Sequence, residues 1–248
     1  MAVPLYDSQP ARRAPVVTYL LVAVNIVVFL FTPMANFAAS YGEGRVRECN
    51  AVEFTLEHGA IPKELVSGEQ QPPPERVGPC PVEPYEKVPW VSAFTSMFLH
   101  ADWLHLMGNV VMLFVLGAGV EDRFGRARYL LAYLLFGLAA VYGYAFTTPS
   151  STTPLIGASG AIAGVLGAYL ILNPRGRIVS YVPPVIISRL PAWVLLGLWF
   201  VLQWLSLGDE SSNVAYVAHI YGFVAGMLFA LMARRAGPTR RAVALARE

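Results

Sequence analysis

Gly157-Ala158-Ser159-Gly160-Ala161-Ile162-Ala163-Gly164 opens an apolar run that reaches Asn173 without meeting a charged residue. Side chains this small let a helix bring its backbone close to its neighbours. The run over 158–173 is short for a helix facing lipid, which needs roughly 20 apolar residues to span a bilayer. A short, small-residue helix fits best at the centre of a bundle, sheltered by longer ones. Working outward, five more apolar runs appear, at 15–36, 103–120, 127–147, 191–207 and 214–233. The whole chain of 248 residues is 56% hydrophobic and 14% charged, against about 25% charged in an average soluble domain. Charges crowd between the runs. The pattern predicts an all-α membrane protein, a bundle of six transmembrane helices.

Lys and Arg set the direction. Arg12, Arg13, Arg123, Arg126, Arg128, Arg175, Arg177, Arg189 and five arginines from Arg234 onward fall on one side of such a bundle, thirteen of the eighteen basic residues. The other five lie between the first two runs. The positive-inside rule then puts both termini in the cytoplasm, and an even number of spans agrees. The first run is too long for a signal-peptide core and lacks a small-x-small cleavage site, so it reads as a retained span. The expected organisation is a cytoplasmic tail over 1–14, a membrane domain over 15–233 and a basic cytoplasmic tail over 234–248, suited to anionic lipid. The one large extramembrane segment is the first loop, about 37–99. It holds nine glutamates and the Pro72–Pro74 cluster. Both cysteines, Cys49 and Cys80, lie there, on the oxidising side. A disulfide pinning the loop is expected, with two free thiols as the alternative.

Ionisable and polar side chains inside a bilayer are costly and mark function. His100 and His105 stand at the start of the second run, with Asn109 one turn after His105 on the same face. Ser159 opens the fourth run, and His219 lies about two turns into the sixth. Runs 2, 4 and 6 all travel from outside to inside, so His105, Asn109, Ser159 and His219 share one depth below the outer surface. Gly160/Gly164 and Gly222/Gly226 form two Gly-x-x-x-Gly pairs that would let the fourth and sixth helices pack closely. A lone membrane serine usually bonds its own helix. The joint depth of four polar groups argues for an active site.

A hydroxyl needs a base to become a nucleophile, and His219 is the natural one. Neither the fourth nor the sixth run carries an acid, which predicts a dyad whose imidazole is oriented by packing. The amide N–H groups at the Ser159 helix start, with His105 and Asn109, could stabilise an oxyanion. The second glycine of a Gly-x-Ser-x-Gly elbow is missing, and no His-Glu-x-x-His is present. A zinc site from His100, His105 and His219 suits the ligand type, but a five-residue spacing is awkward for one helix face. A transporter is weaker still, as no internal repeat is evident.

At these residues the chain resembles the rhomboid proteases. The block His100-x4-His105-x3-Asn109, the turn Glu121-Asp122-Arg123-Phe124-Gly125, Gly157-Ala158-Ser159-Gly160, and Ala218-His219 with Gly222 and Gly226 are similar to that family's motifs. The resemblance implies an intramembrane serine endopeptidase with Ser159 and His219 as its dyad. It implies an oxyanion hole of His105, Asn109 and the Ser159 amide. Structural support would come from His100, Gly157, Gly160, Gly164, Gly222, Gly226 and Glu121. It further implies single-span membrane proteins as substrates, a mobile fifth span, no cofactor, no metal and no nucleic-acid partner, in a bacterial inner membrane. The alternative within the resemblance is an inactive relative that binds client transmembrane segments. In two places the chain departs from the family pattern. Ala163 stands where an aromatic usually packs beneath the histidine, with Tyr221 a candidate to fill that volume. Trp90 is followed by Val91 in place of an arginine.

Overall fold

The computed structural model describes residues 3–8, 11–182, 186–209 and 214–235. A helix occupies each of the six apolar runs. In chain order the elements are β1 (Val3–Asp7), α1 (Val16–Leu30), α2 (Gly44–His58), α3 (Pro62–Ser67), β2 (Arg76–Val77), β3 (Cys80–Pro81), α4 (Pro89–Thr95) and α5 (Trp103–Phe124). There follow α6 (Arg126–Thr147), α7 (Ser159–Leu172), β4 (Arg177–Val182), β5 (Ile186–Pro191), α8 (Ala192–Leu205) and α9 (Tyr216–Arg235). Among the described residues α5, α6 and α9 are long and apolar enough to cross a membrane, while α1, α7 and α8 are apolar but shorter, at 15, 14 and 14 residues.

α7 is the axis. Ten consecutive residues, Gly160 to Tyr169, are buried, and α5, α6, α8 and α9 all pack on it. A side chain on Gly222 or Gly226 would overlap the carbonyl oxygen of Gly160 or Gly164, and one on Gly167 would overlap that of Phe223. The α7–α9 contact is thus backbone against backbone, the arrangement that small residues allow. Tyr129, Tyr133, Phe136, Tyr169 and Phe223 fill the rest of the core.

Helix ends show how the bundle is tied. Asp102 caps α5 by accepting from the His105 N–H at 2.7 Å. Gly125, at φ +77°, ends α5 and starts α6 in one residue, a left-handed conformation glycine adopts freely. Glu121, 4% exposed, reaches across to α1. There its carboxylate accepts from Val17 N (3.1 Å), Thr18 N (2.8 Å) and Thr18 Oγ1 (2.8 Å). Pro15 precedes α1 and has no capping side chain, so a carboxylate from another helix satisfies the free N–H groups and meets the positive end of the helix dipole.

The all-helical expectation needs correction at one end of the bundle. β1, β4 and β5 form an antiparallel sheet in that order, with Ile178 opposite Asp7 on one side and Leu190 on the other. The expected N-terminal tail is therefore partly a strand, and the linker after α7 carries two strands paired antiparallel. The physical cause is a buried contact: Tyr169 of α7 donates its hydroxyl to Asp7 at 2.7 Å, and Ile178 is fully buried beneath the sheet. Most of the expected C-terminal tail, including Arg240, Arg241 and Arg247, lies outside the described residues.

The segment between α1 and α5 has a small core of its own, Leu56, Ile61 and Val82. Cys49 and Cys80 are joined in a disulfide. Lys87 and Glu64 form a buried ion pair at 2.7 Å, 4% and 1% exposed at their side chains. The Lys87 ammonium also donates to the carbonyls of Leu56 (2.7 Å) and Gly59 (3.2 Å). Burial pulls the Lys87 pKa down, against the opposing effect of Glu64. Burial together with Glu64 and Glu57 pushes the nearby Tyr85 phenol up to about 12. Ala60 exchanges backbone hydrogen bonds with Leu155, and Lys63 N–H donates to Ser151 O. This segment is thereby strapped to the loop that leads into Ser159.

Candidate active site

Ser159 is the first residue of α7, half-buried, and its Oγ lies 2.9 Å from His219 Nε2 on α9. His219 is 8% exposed. Its other nitrogen, Nδ1, lies 2.8 Å from Gln203 Oε1 on α8. A carbonyl oxygen can only accept, so Nδ1 carries the proton and Nε2 is left to accept from the serine hydroxyl. The imidazole is flanked by the Trp199 ring at 5.8 Å and 33° and by the edge of Tyr216 at 6.5 Å.

His105, in the first turn of α5, accepts a backbone hydrogen bond from Ala101 N–H at Nδ1, 3.4 Å. Its Nε2 is then the protonated nitrogen. A methyl placed on Gly157 would stand 2.9 Å from that Nε2 and 3.5 Å from Ser159 Oγ. The position above Gly157 therefore lies between a donor and the hydroxyl. Gly157 holds φ +131°, and its N–H donates to Ser96 O at 2.9 Å, which anchors the turn. Asn109 is 8% exposed, and its Nδ2 finds no acceptor among the described residues. His100 is fully buried, edge-on to Phe29 (6.4 Å) and to His105 (5.1 Å).

Gly160, Gly164, Gly222 and Gly226 lie in the α7–α9 seam behind the pair. Glu121 is at the opposite end of α5, capping α1. Two expectations need correction. Tyr221 does not fill the volume beneath His219. Two residues on, it points to another side of α9, lies against Gly143 of α6 and meets Thr147 Oγ1 at 3.4 Å. The ring beside the imidazole is Trp199, from α8. Nor is His219 oriented by packing alone, because Gln203 binds it. The orienting group is not an acid on the fourth or sixth run but an amide on the fifth. Its signal in the sequence is a glutamine inside a run whose only other polar residue, apart from tryptophans, is Ser206 near its end. A three-histidine metal site is not formed: no group of three His, Cys, Asp or Glu converges among the described residues, and His219 uses both nitrogens elsewhere.

Apolar helices around a shared core, with a serine–histidine hydrogen bond between two of them, define a helical integral membrane protein with a polar site built across helix–helix seams. The chain belongs to the rhomboid family: the Rhomboid domain model matches residues 87–236, from the start of α4 through α9. It is 30% identical to YdcA of Bacillus subtilis over 58% of this chain and 67% of that one. It is 30% identical to Rhomboid protease AarA of Providencia stuartii over 55% and 53%. With Rhomboid protease GluP of Bacillus subtilis the identity is 27% over 87% and 34%. The matched region thus spans about half of the AarA chain and a third of GluP.

Proposed function

We propose that this chain is an intramembrane serine endopeptidase with Ser159 as nucleophile and His219 as general base. One observation carries the reading: Ser159 Oγ stands 2.9 Å from an imidazole nitrogen whose partner nitrogen is already committed as a donor. Membership of the rhomboid family supports the same reaction class.

Ser159 Oγ attacks the scissile carbonyl carbon as its proton passes to His219 Nε2. The carbonyl oxygen becomes an oxyanion over Gly157, where His105 Nε2–H, Asn109 Nδ2 and the Ser159 amide are the donors. Such preorganised donors favour the charge that develops in the transition state. His219 then gives its proton to the leaving amine, the C–N bond breaks, and an acyl-serine remains. A water molecule then gives its proton to His219 Nε2 as its oxygen attacks the acyl carbon, the Ser159 Oγ–carbon bond breaks, the proton returns from His219 to Ser159 Oγ, and the second product leaves as a carboxylic acid. His100 supports His105 by packing, and the Gly160/Gly164 and Gly222/Gly226 pairs hold α7 and α9 close enough for the bond.

The proposed substrates are single-span membrane proteins cut in or near the bilayer. All six apolar helices are read as spans, with both termini cytoplasmic in a bacterial inner membrane. The short α7 crosses inside the shelter of α5, α6, α8 and α9. The test is gel-based cleavage of a single-span substrate by the purified chain in proteoliposomes. Cleavage by the wild type, lost in both Ser159→Ala and His219→Ala, is expected. Undiminished cleavage by either variant would overturn the assignment. Binding of the substrate without cleavage by the wild type would favour a client-binding relative.

A further inference from the structure

Gln203 is the one polar residue on α8 apart from its tryptophans, and it is 2% exposed. An apolar helix carries a buried amide at a desolvation cost that only hydrogen bonds offset. Gln203 makes two, in a fixed sense. Its Nε2–H donates to the Trp199 carbonyl one turn back, at 3.1 Å, which leaves Oε1 facing His219 Nδ1 at 2.8 Å. The amide cannot turn over without bringing its NH2 group against the imidazole and its oxygen against a carbonyl. The backbone of α8 therefore selects the amide orientation, the amide selects the Nδ1–H tautomer, and the tautomer leaves Nε2 free to accept from Ser159.

We propose that Gln203 is the positioning residue for His219, so that α8 helps to align the Ser159–His219 pair. This rests on the serine protease reading above. It adds that the pair is complete only while α8 is packed against α9. When His219 becomes an imidazolium, Nδ1–H still donates to Gln203 Oε1, so the amide serves both protonation states without taking the proton. Trp199 acts with it, since its carbonyl holds the amide and its ring limits tilting of the imidazole. Displacement of α8 from α9 would release the Nδ1 hydrogen bond and the ring contact together, coupling helix position to the readiness of the base.

The experiment compares the full chain with Gln203→Leu, which fills similar volume without an acceptor, and Gln203→Glu, which keeps an acceptor oxygen. Three readouts are taken: substrate cleavage, the rate of fluorophosphonate labelling at Ser159, and 15N NMR of labelled histidine, with His219→Ala for assignment. Gln203→Leu is expected to lower kcat and the labelling rate by on the order of tenfold or more, the size of one lost hydrogen bond. KM should stay within about twofold. Gln203→Glu should recover most of the loss. The NMR should report an Nδ1–H tautomer in the wild type and a tautomer mixture in Gln203→Leu. Wild-type kcat and tautomer in Gln203→Leu would overturn the proposal. So would an equal loss in both variants accompanied by a fall in thermal midpoint, which would mark a packing role. The NMR is independent of cleavage. An Nδ1–H tautomer that depends on Gln203 in a chain that cleaves nothing would fault the protease reading and leave the positioning contact standing.

Discussion

Gly157 shows how narrow the tolerances are at the level of one residue. At φ +131° a side chain is strained, and a methyl there would stand 2.9 Å from His105 Nε2, in the space assigned to the oxyanion. Gly157→Ala is expected to lower kcat at least tenfold and to reduce stability by about 1–3 kcal/mol, read by single-turnover cleavage and thermal unfolding. His105→Ala and Asn109→Ala should each cost about 10²–10³ in kcat while the melting temperature changes little. A value of kcat within threefold of wild type for both would remove them from the oxyanion site. Ser159 and His219 were legible in the sequence because polar groups are rare in apolar helices and their motifs are specific. Gln203 was not, because its meaning depends on which way α8 is rotated. A glutamine in a helix can as easily face a neighbouring backbone as an imidazole. Tyr221 failed for the same reason in reverse: a ring near His219 in sequence lies on another face of α9.

For the helices and strands, the decisive seam is α7 against α9. Gly226→Ala would drive its methyl into the Gly164 carbonyl, and neither backbone can yield without the helices parting. Overpacking of this kind costs about 1–3 kcal/mol or more, so Gly226→Ala should lower the thermal midpoint and lengthen the Ser159–His219 contact. Its labelling by a serine probe should fall with it. In the segment between α1 and α5, Lys87→Met leaves Glu64, 1% exposed, without its counter-charge. Stranding one buried charge costs about 3–5 kcal/mol. Hydrogen exchange over α2 to α4 is expected to quicken sharply, and unchanged exchange would mean the pair does not hold the segment. The helix positions were readable to within a few residues at most ends because apolar run length is a strong signal. The sheet was not. Arg177-Ile178-Val179-Ser180-Tyr181-Val182 lies among basic residues that read as a loop, and although β5 pairs with one edge of it, the partner on its other edge, β1, is more than 160 residues away. Pairing over that distance is set by the tertiary contact between Asp7 and Tyr169, which no local pattern reports.

As a whole molecule, the proposed protease depends on a topology that puts Ser159, His105 and His219 at one depth. Under the six-span reading thirteen of the eighteen basic residues fall on one side, which predicts the sidedness of each connection. A cysteine introduced at Asp122 should react from the cytoplasmic face. One at Thr152 or Glu69 should react from the opposite face, measured with a membrane-impermeant maleimide in oriented vesicles. Reaction of Asp122→Cys and Thr152→Cys from the same side would break the six-span reading. The bundle also explains why so much function can rest on short helices: α7 needs no lipid-facing length because its neighbours cover it on every side. The central claim, however, concerns a single proton between α7 and α9. Its most direct measurement is mass-spectrometric mapping of the fluorophosphonate adduct on the intact, membrane-reconstituted chain. A single adduct on Ser159 in the wild type, absent in His219→Ala, is predicted. No adduct, an adduct on another serine, or undiminished labelling of Ser159 without His219 would contradict it.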